Sequence, residues 1–541
     1  MAAMTDSRTA PEGGARRVRV HTVRRTLPPT EALPAYLALA GRFGRDQVYL
    51  LESGDGPEND CRYHVTGFGT LLTFSVTRCR VRLGGVPALR EAVLRRIGPL
   101  LAGGGDRLAL RRPRDLWPVL RALQSAFLAE GSASRFRFGF LAYFGYDTAR
   151  YVEELPHLIE RGPDLPDVHL VLHQGCLVTD RATGRSELLL HESDAWPRLD
   201  PEPLLGLLGG AVRPLPVRSD GDLPAAAVRG DTGRDRYLRN VRRCLEHIAV
   251  GDVYQVQIGH ELRIRSQADP VDVYGRLRAR NPSPYMYLTT LGPHTVIGAS
   301  PEVFVRVEEG RVLMRPIAGT APRGAAADDD VAGRLRSDPK EIAEHTMLVD
   351  LCRNDIGRIC RADTLDVPDL MAVERYSHVL HLVSTVAGRA EEGEDAFTVI
   401  PALFPAGTVT GAPKIRAMEI IEEVESSRRG LYAGALGLID VGGYVNLALC
   451  IRTLLHRDGT YRIRASAGVV ADSVPEREWA ETLAKSTAAY WAVTGGEPPR
   501  AGPGGARGGP RGHRRGHPAR AASVKPPPHL EDPWAERGRR E

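Results

Sequence analysis

DPKEIAEHTMLVDLCRNDIGRI, residues 338 to 359, opens with an Asp at a capping position, a Pro at the first helical position and a Glu three places after the Asp. SVPEREWAETLAKS, residues 473 to 486, repeats the device with Ser473, Pro475 and Glu476. Two helices that begin sharply are expected. Glu341 and Glu344 are three apart, as are Glu478 and Glu481, so each pair shares one helical face. Two readings of these pairs stand. One is a solvated acidic face, with Glu481 and Lys485 pairing one turn apart. The other is a hard divalent cation between the helices, taking carboxylate oxygens and keeping water and substrate oxygens around it. Spacing alone does not bring the helices together.

Working outward, Asp235 to Val250 has Tyr237, Val241, Cys244, Leu245 and Ile248 at helical spacing, and Val253 to Leu262 reads as the strand that follows. Pro316-Ile317-Ala318-Gly319-Thr320 places a Gly-Thr pair at an expected strand end, where backbone N–H groups and a hydroxyl suit a carboxylate. Ala465-Ser466-Ala467-Gly468 does the same just before the second acidic helix, and Arg452, after the apolar run Leu447 to Ile451, offers a bidentate carboxylate clamp. In the N-terminal half, Gln47 to Leu51 and His169 to Leu172 read as buried strands. The Gly, Pro and Ala of Leu207 to Arg229 mark a loop or linker.

At 541 residues, with 42% apolar and 26% charged residues, the chain has the balance of a globular protein and length for two or three domains. Its net charge of +5 comes from the Arg-, Gly- and Pro-rich tail, residues 497 to 541, so the body is near neutral and nucleic acid is not an expected partner. That tail and residues 1 to 17 are expected to be disordered. The 7 cysteines form no close pairs, which predicts reduced thiols rather than a zinc or disulfide framework. No signal peptide or membrane span is recognisable, so a cytoplasmic protein is expected.

Five ordered stretches, PIAGTAPRG (316 to 324), the 338 to 359 helix, SHVLHLVSTV (377 to 386), GTVTGAPKIRAMEII (407 to 421) and SAGVVADSVPEREWAETLAKS (466 to 486), resemble the chorismate-binding enzymes, nearest to anthranilate synthase component I. The resemblance is strong over about 232 to 494 and weak before it. It implies an α+β fold in which two domains pack antiparallel sheets as a sandwich with flanking helices. The expected divisions are 18 to 229 and a chorismate-binding catalytic region at 230 to 496. It further implies Mg2+ on Glu344 and Glu481, supported by Glu341 and Glu478, binding chorismate's ring carboxylate. Tyr432, Arg452 and the backbone around Ala467 and Gly468 are implied as the clamp for the enolpyruvyl carboxylate. Thr408, Gly319 and Thr320 line the implied pocket, and Lys485 is a further electrostatic contact. Ser466 stands where many relatives have Gly.

Within the family, enzymes that use water resemble one another in placing a lysine base where this chain has Gln255, so ammonia is the expected nucleophile. The 4-amino-4-deoxychorismate synthases resemble one another in a lysine where this chain has Ala318, so attack at C2 is expected. His381 matches the histidine associated with pyruvate elimination in anthranilate synthases, and imidazole suits proton transfer. Leu50-Leu51-Glu52-Ser53 and Asn281 to Met286 resemble the elements that bind tryptophan as feedback inhibitor, with Ser53, Pro284, Tyr285 and Met286 as candidate contacts. No glutamine amidotransferase motif is recognisable, so a separate glutaminase subunit or solution ammonia is the expected source. The reading is an anthranilate synthase large subunit, converting chorismate and ammonia to anthranilate and pyruvate through 2-amino-2-deoxyisochorismate. Its alternatives are release of that aminated intermediate, a 4-amino-4-deoxychorismate synthase, or a non-catalytic relative.

Overall fold

The strand announced after the 235 to 250 helix runs from Gln255 to Arg265, and its alternation organises one end of the architecture. Val256, Ile258 and Ile264 point into apolar clusters, whereas Gln255, Gln257, Glu261, Arg263 and Arg265 share the opposite, polar face. From here antiparallel pairing passes through Thr460–Val469, Thr453–Arg457, His294–Ser300, Tyr285–Leu291 and Val48–Glu52 to Tyr63–Thr77. It then continues through Val168–Asp180, Gly139–Phe144, Ala435–Asp440, Val445–Leu449, Val303–Glu308 and Arg311–Met314 to Val379–Arg389. Along this walk the strands from before residue 229 lie as one block, Val48–Glu52 to Gly139–Phe144, between two sets of strands from after 230. Among the described residues one ladder is parallel, Val18–Leu27 with Phe127–Ala129.

The two halves of the walk face each other. Tyr49, Tyr287, Val296 and Leu455 of the first half and Leu141, Tyr143, Leu436 and Leu438 of the second form one buried cluster. Leu50, Met286 and Ile297 point the other way, onto the helices Ala32–Phe43, Pro270–Arg280 and Pro475–Thr494. Phe140, Phe144 and Leu447 likewise meet Pro87–Ile97, Leu116–Ser125, Pro339–Gly357 and Ala396–Leu403. The result is the expected α+β sandwich, two antiparallel sheets between outer helices. Burial on both faces is why Val48-Tyr49-Leu50 is a continuous apolar run rather than an alternating one.

This computed structural model describes residues 17–57, 60–105, 107–160, 165–210, 226–323, 328–376 and 379–498. The tail reading from 499 onward and the N-terminal reading up to 16 lie outside the described residues. Of the expected 207 to 229 linker, the start belongs to the helix Pro201–Gly209 and the end to the strand Ala227–Gly230; residues 211 to 225 lie outside. All 7 cysteines are free thiols. Among the described residues no helix is long and apolar enough to cross a membrane.

Candidate active site

The helix Pro339–Gly357 starts as its sequence dictates: the Asp338 carboxylate accepts from the backbone N–H of Lys340 at 2.9 Å and of Glu341 at 3.4 Å. Inward-facing Val349, Cys352 and Ile356 and a hydrogen bond between His345 and Ser384 at 2.6 Å seat it on the strand Val379–Arg389. Pro475–Thr494 departs from the expected start. Its N-cap position is Val474, and Ser473 lies one residue further out. The Ser473 hydroxyl accepts from the Val470 N–H at 3.0 Å and also hydrogen bonds to the Glu478 carboxylate. The helix is instead anchored by Thr482, hydrogen bonded to His260 at 2.9 Å, and by Trp479, stacked on His260 at 4.5 Å.

The acidic faces of the two helices meet. Burial pushes the Glu341 carboxyl up, and the charges of Glu344 and, across the gap, Glu481 add to this. Glu344 is pushed up by burial and by Glu481 and Glu478, against the opposing Lys340 ammonium 3.5 Å away. Glu478 is raised by burial and by Glu481, against its Ser473 hydrogen bond. Lys485 pairs with Glu481 at 2.6 Å. Glu341 and Glu344 are thus half-buried and Glu478 buried, while Glu481 stays exposed in the expected pair with Lys485, and the two acidic faces repel across the gap between the helices. Oxygen-only donors under mutual repulsion fit a hard divalent cation. Among the described residues no three His, Cys, Asp or Glu side chains close into a ready-made cage. A cation here would take one or two carboxylates and complete its shell with water and substrate, as magnesium ordinarily does.

Beside the first helix, Gly319 sits not at a strand end but inside the strand Ile317–Pro322, at a register shift and with φ of 62°. A Cβ there would lie 3.0 Å from a Glu341 carboxylate oxygen, so glycine serves both the left-handed backbone and the close approach. Thr320 enters by its backbone, opposite His381 in the ladder; its side chain lies outside the described residues. His381 is buried, its ring packed edge-on against Tyr376 at 5.0 Å. Burial, with Arg452 nearby, pushes its pKa down to about 3 despite a hydrogen bond to the Gly319 backbone. The imidazole is neutral at physiological pH.

Arg452 lies between two strands with φ of 50°, uncommon for a residue with a side chain and a mark of local strain at functional sites. Burial pushes its pKa down, and no carboxylate forms an ion pair with it among the described residues. Next to it is a residue that sequence reading missed. Glu302 is 7% exposed, accepts from the Thr408 hydroxyl at 2.9 Å, and is pushed by burial up to about 8, against the nearby Lys485 and Arg452. Burial thus favours the protonated form of this carboxyl, beside Arg452.

On the other wall, the Tyr432 hydroxyl bonds to Ser466, whose hydroxyl donates to the Gln257 amide oxygen at 3.1 Å; Lys485 donates to the Ser466 carbonyl at 3.1 Å. Gln257 was also missed. Ala467 and Gly468 follow in the strand Thr460–Val469, and a Cβ on Gly468 would lie 2.7 Å from the Gln255 amide nitrogen. The Gln255 amide oxygen is buried with no hydrogen-bond partner among the described residues. Contacts thus link Glu302 with Thr408, Lys485 with Glu481 and Ser466, Tyr432 with Ser466, and Gly319 with Glu341 and His381.

The inhibitor candidates stand elsewhere, and together. Ser53, Pro284, Tyr285 and Met286 line a separate cavity of about 950 Å3. Asp60 sits in its wall, paired with Arg306 at 2.6 Å, accepting from the Tyr285 hydroxyl at 3.2 Å and paired with Arg315. Arg315 also pairs with Glu374, which accepts from the Tyr376 hydroxyl at 3.1 Å, and Tyr376 packs on His381. A continuous run of contacts therefore joins the wall of this cavity to the histidine of the cleft.

The family model described as chorismate binding enzyme matches residues 100–490. The chain is 66% identical over 481 residues, 89% of its own length and 98% of the relative's, to a 2-amino-4-deoxychorismate synthase of Streptomyces globisporus. It is 37% identical over 466 residues, 83% of this chain and 90% of the other, to anthranilate synthase component 1 of Acinetobacter calcoaceticus. The crystal structure of anthranilate synthase component I from Streptococcus pneumoniae superposes with a TM-score of 0.64 at 30% identity, covering 79% of this chain and 92% of that one. With a family model that spans residues 100–490 and relatives matched over more than four fifths of their length, this chain belongs to the chorismate-binding enzymes.

Proposed function

We propose that this enzyme aminates chorismate at C2 with loss of the C4 hydroxyl and releases the product with its enolpyruvyl group still attached. The observation that carries this reading is the 66% identity to a 2-amino-4-deoxychorismate synthase, against 37% for an anthranilate synthase component 1. That name describes an amine at C2, no hydroxyl at C4 and a retained enolpyruvyl ether. It is the connectivity of the 2-amino-2-deoxyisochorismate weighed above as an intermediate, numbered on the other skeleton.

The nitrogen lone pair forms the bond to C2, the two ring double bonds shift toward C4, and the C4–O bond breaks. One proton from nitrogen and the departing hydroxyl leave as water. Glu302, held by Thr408, is the acid that supplies a proton to that hydroxyl. Arg452, Tyr432 and the backbone at Ala467 and Gly468 hold the enolpyruvyl carboxylate, with Lys485 adding positive charge. Gln255, an amide, cannot serve as a base for water, and its free acceptor suits an ammonia N–H. Glu344 and Glu481 would hold magnesium, supported by Glu341 and Glu478 and completed by chorismate's ring carboxylate. Bound there, the metal supplies Lewis-acid neutralisation of anionic charge.

Elimination of pyruvate to give anthranilate is the second reading, favoured by the presence of His381. It requires removal of the C2 proton. A base held near a pKa of about 3 is poorly matched to that task at neutral pH, which supports release of the aminated product. On this reading residues 230–496 carry the chemistry. Residues 18–229 help build the separate cavity, where L-tryptophan or a similar amino acid would act as regulator. Ammonia comes from a separate glutamine amidotransferase subunit in the cytoplasm. The test is the mass of the product formed from chorismate, magnesium and ammonium chloride. The aminated ring with its enolpyruvyl group intact is expected, and anthranilate would overturn the proposal.

A further inference from the structure

On the strands Gln255–Arg265 and Thr460–Val469, Gln257 stands opposite Gly468 and Gly259 opposite Ser466. The glycines make room for their neighbours. A Cβ on Gly259 would lie 3.0 Å from the Ser466 Cβ, and one on Gly468 would lie 2.9 Å from the Gln257 amide nitrogen. Gln257 and Ser466 share a sheet face and meet on it, the Ser466 hydroxyl donating to the Gln257 amide oxygen at 3.1 Å. Tyr432, from the turn before the strand Ala435–Asp440, brings its hydroxyl to Ser466. A serine hydroxyl carries one proton, and Gln257 takes it, so the phenol is the donor in the bond between Tyr432 and Ser466. The hydrogen bonds thus run inward, from Tyr432 to Ser466 to Gln257. With its proton committed, the Tyr432 oxygen offers the cleft only lone pairs, and these repel a carboxylate.

We propose that Gln257 and Ser466 form a reversible hydrogen-bond relay that turns Tyr432 from acceptor to donor when chorismate binds. The relay rests on the reading above that Tyr432 holds the enolpyruvyl carboxylate. A half turn of the Gln257 amide exchanges its oxygen for its N–H, which then donates to Ser466; the two hydroxyls rotate, Ser466 donating to Tyr432 and Tyr432 to the carboxylate. Each group keeps its own proton throughout. The backbone stays in place, because anchors outside the relay hold it. The Gln257 N–H donates to the Thr410 carbonyl at 2.8 Å, the Gln257 carbonyl accepts from buried Arg429 at 2.7 Å, and the Ser466 carbonyl accepts from Lys485 at 3.1 Å. The reversed chain aims three donors in series at the anion, each polarising the next. Gln257 and Ser466 are therefore positioning residues that act through Tyr432. A carboxylate in place of the Gln257 amide could accept but never donate, and would hold the relay in its inward direction.

The test is the chorismate KM of variants of the whole protein in magnesium and ammonium chloride. Gln257→Glu is nearly isosteric at a half-buried position and should raise that KM by about tenfold, the worth of one hydrogen bond to a charged group, with a much smaller change in kcat. Ser466→Ala alone removes a helper of Tyr432 and should raise the KM by about threefold. In the Gln257→Glu background the same substitution removes a competitor for the Tyr432 proton and should lower the KM by about threefold. Opposite signs in the two backgrounds separate a relay from structural damage and from the added charge, each of which leaves Ser466→Ala acting in one direction. The same sign in both would overturn the relay. So would an unchanged KM in Gln257→Glu beside a raised one in Tyr432→Phe. An unchanged KM in Tyr432→Phe would instead remove the clamp reading on which the relay rests. Should Gln257→Glu fail to fold, Ser466→Ala alone decides, and a chorismate KM unchanged or lowered would overturn the relay.

Discussion

The separate cavity and the catalytic cleft both gather carboxylates and cations, yet they treat them differently. Around the cavity, Asp60 meets Arg306 and Arg315, Glu374 meets Arg315, and Glu52 meets Arg278 and the Tyr274 hydroxyl. In the cleft, Glu302 has a threonine hydroxyl, Glu341 and Glu344 face Glu478 and Glu481 with only Lys340 and Lys485 paired against them, and Arg452 lies near Glu302 but forms no ion pair among the described residues. Buried charges that hold a structure together are matched within the chain, because an unmatched one costs several kcal/mol. Charges left unmatched mark the place where a ligand completes the set. The same substitution chemistry should therefore lose activity in one region and stability in the other.

The largest contrast is expected at Glu302. Glu302→Gln replaces a neutral acid by a neutral amide, so the melting temperature should hold while kcat falls by about 10²–10⁴-fold, the span of lost general acid catalysis. The pH profile carries the same signature. With its pKa raised to about 8, Glu302 is protonated below that value and loses its proton as pH rises through it, so kcat should decline above pH of about 8. The decline should be absent from the residual activity of Glu302→Gln. By the same sign, burial of this group favours the folded state most at low pH, and that contribution is lost as pH rises from the ordinary carboxylate range through about 8. A variant that unfolds early but keeps its turnover would break the comparison.

At Arg315 the order should reverse. Arg315→Met leaves Asp60 and Glu374 buried beside an apolar side chain and should cost about 3–5 kcal/mol in urea unfolding, the usual penalty for stranding one member of a buried pair. Unchanged stability would show that solvent reaches these carboxylates and that the region is not a closed network. The smallest effect is expected at Tyr376, where Tyr376→Phe removes one hydrogen bond to Glu374 and keeps the ring against His381. A loss of about 1 kcal/mol in stability, with kcat nearly intact, is the expected outcome. A large fall in kcat would show that the hydroxyl, and not the ring alone, sets the histidine's position.

Much of this contrast was legible in the sequence, and the reasons for the gaps are physical. The capping Asp338 and the spacing of Glu341, Glu344, Glu478 and Glu481 are local signals, and local geometry honours them. Ser473 misled because a hydroxyl near a helix start can bond either to the helix backbone or to a side chain, and Glu478 took it. Glu302 and Gln257 have no partner nearby in sequence. Their partners Thr408 and Ser466 lie 106 and 209 residues away and reach them only in the fold. The insertion of the N-terminal strands between C-terminal ones was likewise invisible, because pairing partners such as Leu51 and Tyr287 lie more than two hundred residues apart.

The central claim concerns the fate of the enolpyruvyl group, and counting pyruvate tests it most directly. Chorismate consumption and pyruvate release can be followed together in magnesium and ammonium chloride, with lactate dehydrogenase reporting pyruvate. Chorismate consumed with almost no pyruvate is the expected result. One pyruvate released for each chorismate consumed, with anthranilate accumulating in step, would contradict the account.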